Sequence, residues 1–268
     1  MRVAAIREPG VARALVEISG TALRRLEFDV NVAAWKELPG APPAADDRLL
    51  EPPFPPRAVI APGPRLEGPP DWQERHREFH VKPASVIAPA RSALPRAPAS
   101  VRYRVQAGLV FGPMPRCTPA GRILDRLIGC HLVTELIDVD AFRIDWEGPR
   151  WHIRFGEGMS FDGACPVSPV LATPDEFPPE GIGVQHAGGT TLLAWDALAD
   201  FAALVNRYLE LGPELLILAG WPLGPVLAAA NGRPQLTFDT PISSLGTDGA
   251  WADNSVLGRV ECRLEAVA

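Results

Sequence analysis

The sequence has few lysines and no stretch of clustered positive charge. Lys36 and Lys82 are the two lysines among 26 basic residues, and the formal net charge is −6. Binding to nucleic acid depends on clustered cations that neutralise phosphates and release counterions, so this charge pattern argues against a nucleic-acid partner. Small molecules, or other proteins, are the expected partners.

Long apolar segments are also missing. The first nine residues contain no apolar signal-peptide core, and no later apolar run approaches the roughly 20 residues that a membrane-spanning helix needs. We therefore expect a cytoplasmic protein without a membrane partner. With 268 residues, 47% of them hydrophobic, the chain is long enough to bury a substantial core.

Cysteine is scarce and dispersed. Cys117, Cys130, Cys165 and Cys262 form neither a C-x-x-C pair nor a cysteine and histidine cluster at zinc-binding spacing. They are expected to be reduced thiols, mostly buried. The sequence also lacks a G-x-S-x-G turn, a P-loop and a G-x-G-x-x-G segment after a strand, which argues against several common catalytic architectures.

Proline, in contrast, is abundant and divides the chain. Its concentration between Leu38 and Pro70 predicts an extended surface connector, because each proline fixes φ and removes a backbone donor. Short apolar stretches before it predict a small N-terminal α+β module, with a short helix over Val30–Leu38. We divide the chain into residues 1–56, the module with its proline-rich connector, and residues 57–268, a larger domain.

The larger domain is predicted to be mainly β with some α. Short β-branched or alternating segments bounded by glycine or proline predict strands. These segments are residues 101–111, 129–138, 151–155, 166–172, 181–186, 214–219, 235–238 and 256–264. Helical spacing predicts helices over Thr118–Leu127 and Trp195–Leu211, and the polar segment Trp72–Phe79 predicts a short helix or lid.

Five short motifs follow one another in this larger domain. They are His80–Ser85, similar to F-x-K-P-x-S; a strand that ends at Gly112; Gly129–Glu135, at the place of G-Y-T-x-x-N-D; Ser160–Pro169, similar to S-F-D-x-x-x-P-x-G-P; and Asp200–Gly224, similar to a helix, an L-x-P-G-D turn, a strand and a T-G-T-P-x-G loop. In this order they resemble the fumarylacetoacetate hydrolase family over residues 57–264. The resemblance implies a β-rich catalytic-type domain of mixed sheets, or β-roll, and a homodimer.

The resemblance also implies a divalent cation, and here the sequence departs from the family. Family members hold the ion through a Glu-x-Glu pair on one strand and the aspartate of the N-D motif, and the ion polarises a 2-oxo acid or β-diketone. The pair corresponds to Arg104 and Gln106, and Glu135 remains as the carboxylate of the third position. Because the positive charge of Arg104 opposes a cation, we predict neither a metal ion nor another cofactor.

Arg104 and Glu135 are predicted to form an ion pair, for which two interpretations stay open. In the first, the guanidinium replaces the cation as a planar receptor for an oxyanion or carboxylate, and Glu135 acts as a general acid or base. In the second, the pair is a structural salt bridge that occupies a former metal site.

Histidine at the lid supplies a further catalytic candidate. In family members a lid histidine at position i is followed by a glutamate at position i+3. Here Glu78 stands at position i+2 relative to His76. His76 is therefore either an assisting catalytic residue or part of a solvated charged helix. His131 and His152 fall on predicted strands and are expected to be structural, hydrogen-bonded histidines.

The resemblance also assigns substrate contacts. Lys82, Gln106 and Asp162 are candidate substrate-binding residues, and Met159 stands where the family usually has a lysine that contacts substrate. Trp221 replaces a small threonine in the last motif. Met159 and Trp221 together favour a more apolar ligand than the family's usual substrates.

Two functions from different classes follow. The first is a metal-independent isomerase, cyclase or lyase of this superfamily that acts on an oxo acid or polyketide-like small molecule. The second is a catalytically inactive relative that serves as a binding or structural subunit. An ordinary carbon–carbon hydrolase of the family is a further alternative, because fold alone does not fix function.

Overall fold

The computed structural model describes most of the larger domain and parts of the N-terminal region. The described residues are 1–6, 14–19, 22–29, 34–39, 50–66, 78–94, 101–139, 141, 143–147, 150–220, 223–228, 234–236, 243–244 and 249–264. Strands dominate them, which confirms the prediction of a mainly β protein with some α.

The strands are short except for two near the middle of the chain. In order they are β1 (Arg2–Ile6), β2 (Ala14–Ser19), β3 (Ala22–Asp29), β4 (Ala34–Glu37), β5 (Leu50–Glu51), β6 (Ala58–Pro62), β7 (Pro64–Leu66), β8 (Phe79–Pro83), β9 (Ile87–Pro89), β10 (Arg91–Leu94), β11 (Val101–Phe111), β12 (Leu127–Asp138), β13 (Arg143–Glu147), β14 (Arg150–Arg154), β15 (Cys165–Val167), β16 (Leu171–Ala172), β17 (Gly181–His186), β18 (Gly189–Ala194), β19 (Leu215–Gly220), β20 (Leu223–Ala228), β21 (Pro234–Leu236), β22 (Ser243–Ser244), β23 (Ala250–Asn254) and β24 (Gly258–Leu264). The α-helices among the described residues are α1 (Phe155–Met159) and α2 (Trp195–Asn206).

One large sheet organises the described part of the chain. Fourteen strands belong to it, with the main order β4-β3-β2-β1-β16-β12-β11-β19-β6-β8, and β15 links β12 to β9. The N-terminal strands β1 to β4 are therefore continuous with the strands of the larger domain. A second sheet has five strands in the order β10-β24-β23-β17-β18, and two smaller sheets consist of β13-β14 and β21-β20-β7.

The large sheet curls strongly between β12 and β8. These strands are four steps apart in the strand order, which in a flat sheet would separate them by about 19 Å. Nevertheless a side chain of β8 contacts a side chain of β12, namely Lys82 and Glu135. On the other side of β12, β15 pairs with β9, which follows β8 after a single 3-10 turn at Ala84–Val86. The predicted β-roll therefore describes this curvature well.

The long antiparallel pair β11 and β12 forms the centre of the sheet. Alternate residues of β11 such as Tyr103 and Val105 pack into a large apolar cluster that includes Leu198 of α2 and Val260 of the second sheet. The residues between them face the inside of the curl, where a second cluster includes Val59, Val133 and Leu216. Both faces of the central strands are therefore buried, and polar residues on the inner face lie in the protein interior.

Several predicted elements have different bounds or types in the structure. The helix predicted over Val30–Leu38 is wrong, since Ala34–Glu37 is strand β4, paired with β3. The helix predicted over Thr118–Leu127 is also wrong, because this stretch forms two 3-10 turns closed by bonds such as that from the Ile123 amide to the Ala120 carbonyl. Proline at position 119 and glycine at 121 disfavour a continuous α-helix there.

The predicted surface connector is wrong in its second part. Ala58–Pro62 is strand β6, inserted between β19 and β8, and Val59, Ile60 and Ala61 are buried. A proline removes mainly the ladder hydrogen bond of its own residue. Here the prolines flank the apolar run or end the strand, so the run itself can pair. All eight predicted strands of the larger domain have a counterpart. Residues 101–111 and 181–186 have the predicted bounds, the ends of the others shift, and residues 166–172 divide into β15 and β16.

The cysteines behave as the sequence predicts. All four are free thiols, of which Cys117 is exposed and the other three are buried. Burial raises the pKa of Cys130 far above the ordinary thiol value. Among the described residues, no helix combines the length and the apolar character needed to cross a membrane.

Histidine 131 ties β12 to the loop after β15. Its Nδ1 lies 2.9 Å from the Ser168 carbonyl oxygen and 3.0 Å from that of Val170, so this nitrogen carries the proton and donates. Burial lowers the pKa of His131 from 6.5 to about 4. These contacts agree with the structural role expected for this residue.

Glycine 129 supports the junction of β12 with β16, and we expect its replacement by alanine to destabilise the fold. A Cβ atom there would lie 2.6 Å from the Ala172 carbonyl oxygen, a backbone atom that cannot move independently. Overpacking of this kind costs about 1–3 kcal/mol. Urea denaturation of Gly129→Ala should show the loss, whereas Gly183→Ala, with open space around the new methyl group, should not. Equal stability of the two variants would contradict this account.

Protonation of His131 should destabilise the protein as pH falls. Because the folded pKa of His131 lies below the unfolded value of 6.5, its contribution is fully present above pH 6.5 and is lost as pH falls toward about 4. The shift corresponds to about 3 kcal/mol as an order of magnitude. Urea denaturation between pH 4 and 7.5 should show a weaker pH dependence for His131→Asn, which keeps a donor but does not titrate. Parallel profiles for the variant and the wild type would refute the assignment.

Candidate functional site

A buried charged cluster lies on the inner face of the curled sheet. Arg104 of β11 is the direct cross-strand partner of Glu135 of β12, and Gln106 follows on the same face of β11. Their exposed fractions are 1% for Arg104 and 0% for both Glu135 and Gln106. Residues two apart on a strand point to the same side, so the alternation that sequence predicted for Arg104 and Gln106 is present.

Two cations hold the two carboxylate oxygens of Glu135. Arg104 Nε donates to Glu135 Oε2, and Lys82 Nζ lies 2.5 Å from Glu135 Oε1. The predicted ion pair of Arg104 and Glu135 is therefore present, and Lys82 extends it to a cluster of three. We call Lys82, Arg104 and Glu135 the ion cluster.

Backbone carbonyls complete the surroundings of the two cations. Lys82 Nζ donates to the Met159 carbonyl oxygen at 2.6 Å, and Arg104 Nη2 donates to the Pro62 carbonyl oxygen at 3.1 Å. Cys165 Sγ lies 3.9 Å from Lys82 Nζ. Met159, predicted to replace a substrate-contacting lysine, thus meets the cluster through its main chain.

The cluster fixes the charge state of its carboxylate. Burial alone raises the pKa of Glu135, but Arg104 and Lys82 outweigh burial and hold that pKa well below its ordinary value of 4.5. Glu135 is therefore ionised throughout the physiological pH range. Burial raises the pKa of the neighbouring Cys165 thiol to about 12, so this thiol is protonated under the same conditions.

His80 lies beside the ion cluster and was not among the predicted site residues. It precedes Lys82 by two positions on β8, so both side chains point to the inner face. Burial, and next the Lys82 ammonium, lower the pKa of His80 from 6.5 to about 3, so its imidazole is neutral near pH 7. The i, i+2 spacing to Lys82 was a signal that could have identified it.

Glycine 220 leaves room for the side chain of Gln106. Gly220 is the cross-strand partner of Gln106 on β19 and has a φ of +147°, a conformation that side chains rarely adopt. A Cβ atom there would stand 2.6 Å from Gln106 Oε1. The glycine therefore allows the Gln106 amide to lie against the backbone of β19.

The donor set around Glu135 does not fit a divalent cation. Mg²⁺ and Ca²⁺ prefer several oxygen ligands with negative charge to compensate their own. Here the carboxylate is engaged by Arg104 and Lys82, and an added dication would face both positive charges at close range. The charges that this site offers a ligand are therefore those of its own side chains.

Of the other predicted site residues, Asp162 is not brought to the cluster. Asp162 is exposed in the turn that precedes β15, where the Ala164 amide bonds the Phe161 carbonyl. His76 and Trp221 lie outside the described residues, and so does the side chain of His152.

The sequence is similar to a hydrolase and to uncharacterized proteins. No protein-family model matches the chain. It is 27% identical over 144 residues to 2,4-didehydro-3-deoxy-L-rhamnonate hydrolase of Sphingomonas sp. strain SKA58, over 51% of the chain and 47% of the relative. It is 25% identical over 195 residues to an uncharacterized protein of Staphylococcus haemolyticus, over 67% of the chain and 62% of the relative. The chain thus spans about half the length of the curated relatives it matches.

Solved structures resemble nearly the whole chain. The crystal structure of 5-carboxymethyl-2-hydroxymuconate delta-isomerase from Mycobacterium smegmatis matches with a TM-score of 0.67 and 15% identity, over 98% of this chain and 99% of that one. That of 2-hydroxyhepta-2,4-diene-1,7-dioate isomerase from Mycobacterium marinum matches with a TM-score of 0.65 and 18% identity, over 98% of each chain. At these identities the likeness establishes the fold, and the chain has the fold of the fumarylacetoacetate hydrolase superfamily.

Proposed function

We propose that this chain is an isomerase- or hydrolase-type enzyme of the fumarylacetoacetate hydrolase superfamily that binds an anionic oxo acid without a divalent cation. The observation that carries the proposal is the pair of cations on Glu135, because Arg104 stands at a position where a metal-dependent site would need a negative ligand and Lys82 engages the other carboxylate oxygen. The named activities of the similar proteins, two isomerases of unsaturated hydroxy-carboxylates and one sugar-acid hydrolase, support the substrate class.

Arg104 suits the task that a cation performs on such substrates. Removal of a proton next to a carbonyl group creates an enolate, whose negative charge is stabilised by a fixed positive group in a site that excludes water. A guanidinium is planar and always charged, and its N–H groups match the oxygens of a carboxylate or a 2-oxo acid. In this proposal Arg104 binds the substrate oxyanion, and Lys82 contributes charge from the adjacent strand.

Glu135 then acts as a positioning residue. Its pKa lies well below the ordinary value, so it stays ionised and has little tendency to take up a proton, which disfavours the role of general acid or base that the sequence suggested. A carboxylate that contacts both Arg104 Nε and Lys82 Nζ restricts both side chains to one orientation. Preorganised charge of this kind needs little rearrangement during the reaction.

A catalytically inactive binding protein is the second candidate. The observation that favours it is burial, since the exposed fractions of Lys82 and Glu135 are 0% and that of Arg104 is 1%. A cluster this deeply buried also fits a purely structural salt bridge. The two candidates differ in whether Arg104 meets a substrate, and activity measurements therefore distinguish them.

We expect catalysed hydrogen–deuterium exchange at the carbon next to the carbonyl group of an oxo acid, and we expect it to survive removal of metal ions. The purified protein, treated with EDTA and dialysed, is incubated in D₂O with a panel of 2-oxo acids, 2-oxo dicarboxylates and 2,4-dioxo acids. Loss of the C3 proton signal is followed by ¹H NMR. Arg104→Met should reduce the exchange rate by about 100-fold or more, because a major electrostatic contact is lost.

Two controls make this exchange experiment decisive. Arg122 forms an exposed ion pair with Asp125, so Arg122→Met removes a comparable guanidinium far from buried surroundings and should leave the exchange rate unchanged. Exchange that appears only after addition of Mg²⁺ or Mn²⁺ would overturn metal independence. Absence of exchange with every compound, with or without ions, would favour the inactive binding protein.

Replacing Glu135 by glutamine should strongly destabilise the fold. Glu135→Gln leaves two buried cations without their shared carboxylate, and loss of one partner of a buried ion pair costs about 3–5 kcal/mol. The matched variant Asp125→Asn breaks an exposed pair and should cost about 0.5 kcal/mol or less. Guanidinium denaturation at pH 7 compares the two. Similar losses for both would show that the ion cluster does not depend on Glu135.

A further inference from the structure

The turn between β17 and β18 is organised around one histidine. His186 ends β17, Gly189 begins β18, and Ala187 and Gly188 form the turn between them. The Gly188 amide donates to His186 Nδ1 at 3.1 Å, and His186 Nε2 lies 2.8 Å from Thr191 Oγ1. His186 and Thr191 are both buried, so these bonds lie in the protein interior.

The two contacts require one form of the imidazole ring. A backbone N–H can only donate, so His186 Nδ1 is the unprotonated nitrogen that accepts from Gly188. The proton is then on Nε2, which donates to Thr191 Oγ1. An imidazolium has an N–H at both nitrogens, and its Nδ1–H would meet the Gly188 N–H directly. The closed turn is therefore compatible only with neutral His186.

The same turn contacts the central strand β11. The Ala187 amide donates to Tyr103 Oη at 3.2 Å, and Tyr103 is buried in the large apolar cluster. Its neighbour Arg104 points to the opposite, inner face of β11 and belongs to the ion cluster. Adjacent amides of one turn thus bond His186 and the strand that carries Arg104.

The side chains that lie around the turn offer a proton on His186 no compensation. They are Tyr103 of β11, Thr191 of β18 and Ala252 of β23, of which Tyr103 can titrate and none is a carboxylate. Asp253 comes next along β23 and so points to the other face of the second sheet. Burial lowers the pKa of His186 below its ordinary value of 6.5. Its contribution to stability is therefore fully present above pH 6.5 and is lost as pH falls.

We propose that the turn of residues 187–188 is a pH-sensitive latch, which a proton on His186 opens and which then withdraws a hydrogen bond from Tyr103 of β11. Protonation of Nδ1 breaks the bond from the Gly188 amide, and the turn moves toward solvent. Tyr103 Oη then loses the Ala187 amide, so β11 loses one attachment to the second sheet. This inference goes beyond the proposed function and does not depend on it.

Histidine-ring NMR and amide exchange test the latch together. The ¹⁵N-labelled protein is titrated from pH 7.5 to pH 4.5, and the ring signals are assigned through bonds to the backbone. At pH 7.5 we expect the Nε2–H tautomer of His186. Below pH 6.5, exchange protection of the Gly188 amide, corrected for the intrinsic rate, should fall by about 10-fold per pH unit, because opening takes up one proton. The Nδ1–H tautomer, or protection that does not vary with pH, would overturn the inference.

Two variants separate the latch from general unfolding in acid. In His186→Asn the side-chain oxygen can still accept from the Gly188 amide but does not titrate, so protection of that amide should stay within about 2-fold over the same range. His131→Asn removes another buried histidine and should keep the wild-type response at the turn. Wild-type pH dependence in His186→Asn would contradict the latch. A parallel loss of protection along β19 would mean that the whole sheet unfolds, and would also contradict it.

Tyr103→Phe tests the connection to β11. The variant removes the acceptor of the Ala187 amide and should lower the protection of that amide by about 5-fold at pH 7.5, as expected for one hydrogen bond. In the wild type, acid should shift the Arg104 amide signal in the same direction as this substitution does. Tyr208→Phe, which alters an exposed ring, is the matched control and should change neither signal. An Arg104 signal that stays in place while the turn opens would overturn the connection.

Discussion

The contact of one carboxylate with two cations is the constraint on which the rest of the site depends. Glu135 connects Arg104 on the neighbouring strand with Lys82 on a strand four steps away in the sheet order. The ion cluster therefore depends on the curl of the sheet. Transfer of three charges to the interior carries a large desolvation penalty, which their mutual attraction and the carbonyl oxygens of Pro62 and Met159 offset. The inner face of the central strands can therefore be polar, although both faces of these strands are buried.

The local part of this arrangement was accessible from sequence. Alternation along residues 101–111 places Arg104 and Gln106 on one face, and the predicted ion pair of Arg104 and Glu135 is present as a direct cross-strand pair. Lys82 was assigned to the site from its motif, but its contact with Glu135 depends on the curvature of the whole sheet, which short-range patterns do not encode. His80 was missed although its i, i+2 spacing to Lys82 places both side chains on one face of β8. Helical spacing misled over Thr118–Leu127, where proline and glycine outweigh periodicity.

The fold and the chemistry of this chain have separate determinants. A likeness over 98% of the chain at 15% identity shows that the path of the backbone tolerates replacement of most side chains. The strand pairs, the apolar clusters and the glycines at tight contacts maintain that path. The proposed activity depends on a few inward-facing positions of β8, β11 and β12, where an exchange of charge sign leaves the architecture intact but alters what the site can bind.

The direct cross-strand register of Arg104 and Glu135 also restricts the evolutionary steps open to the chain. A single change of Arg104 to glutamate would place two buried carboxylates opposite each other with Lys82 as their shared cation, and a single change of Gln106 would add a charge against the backbone at Gly220. Each intermediate would be less stable than the present protein. Conversion of this cluster to a metal-binding site would therefore need several substitutions at once, so descendants of this chain are expected to diversify around the cationic site instead.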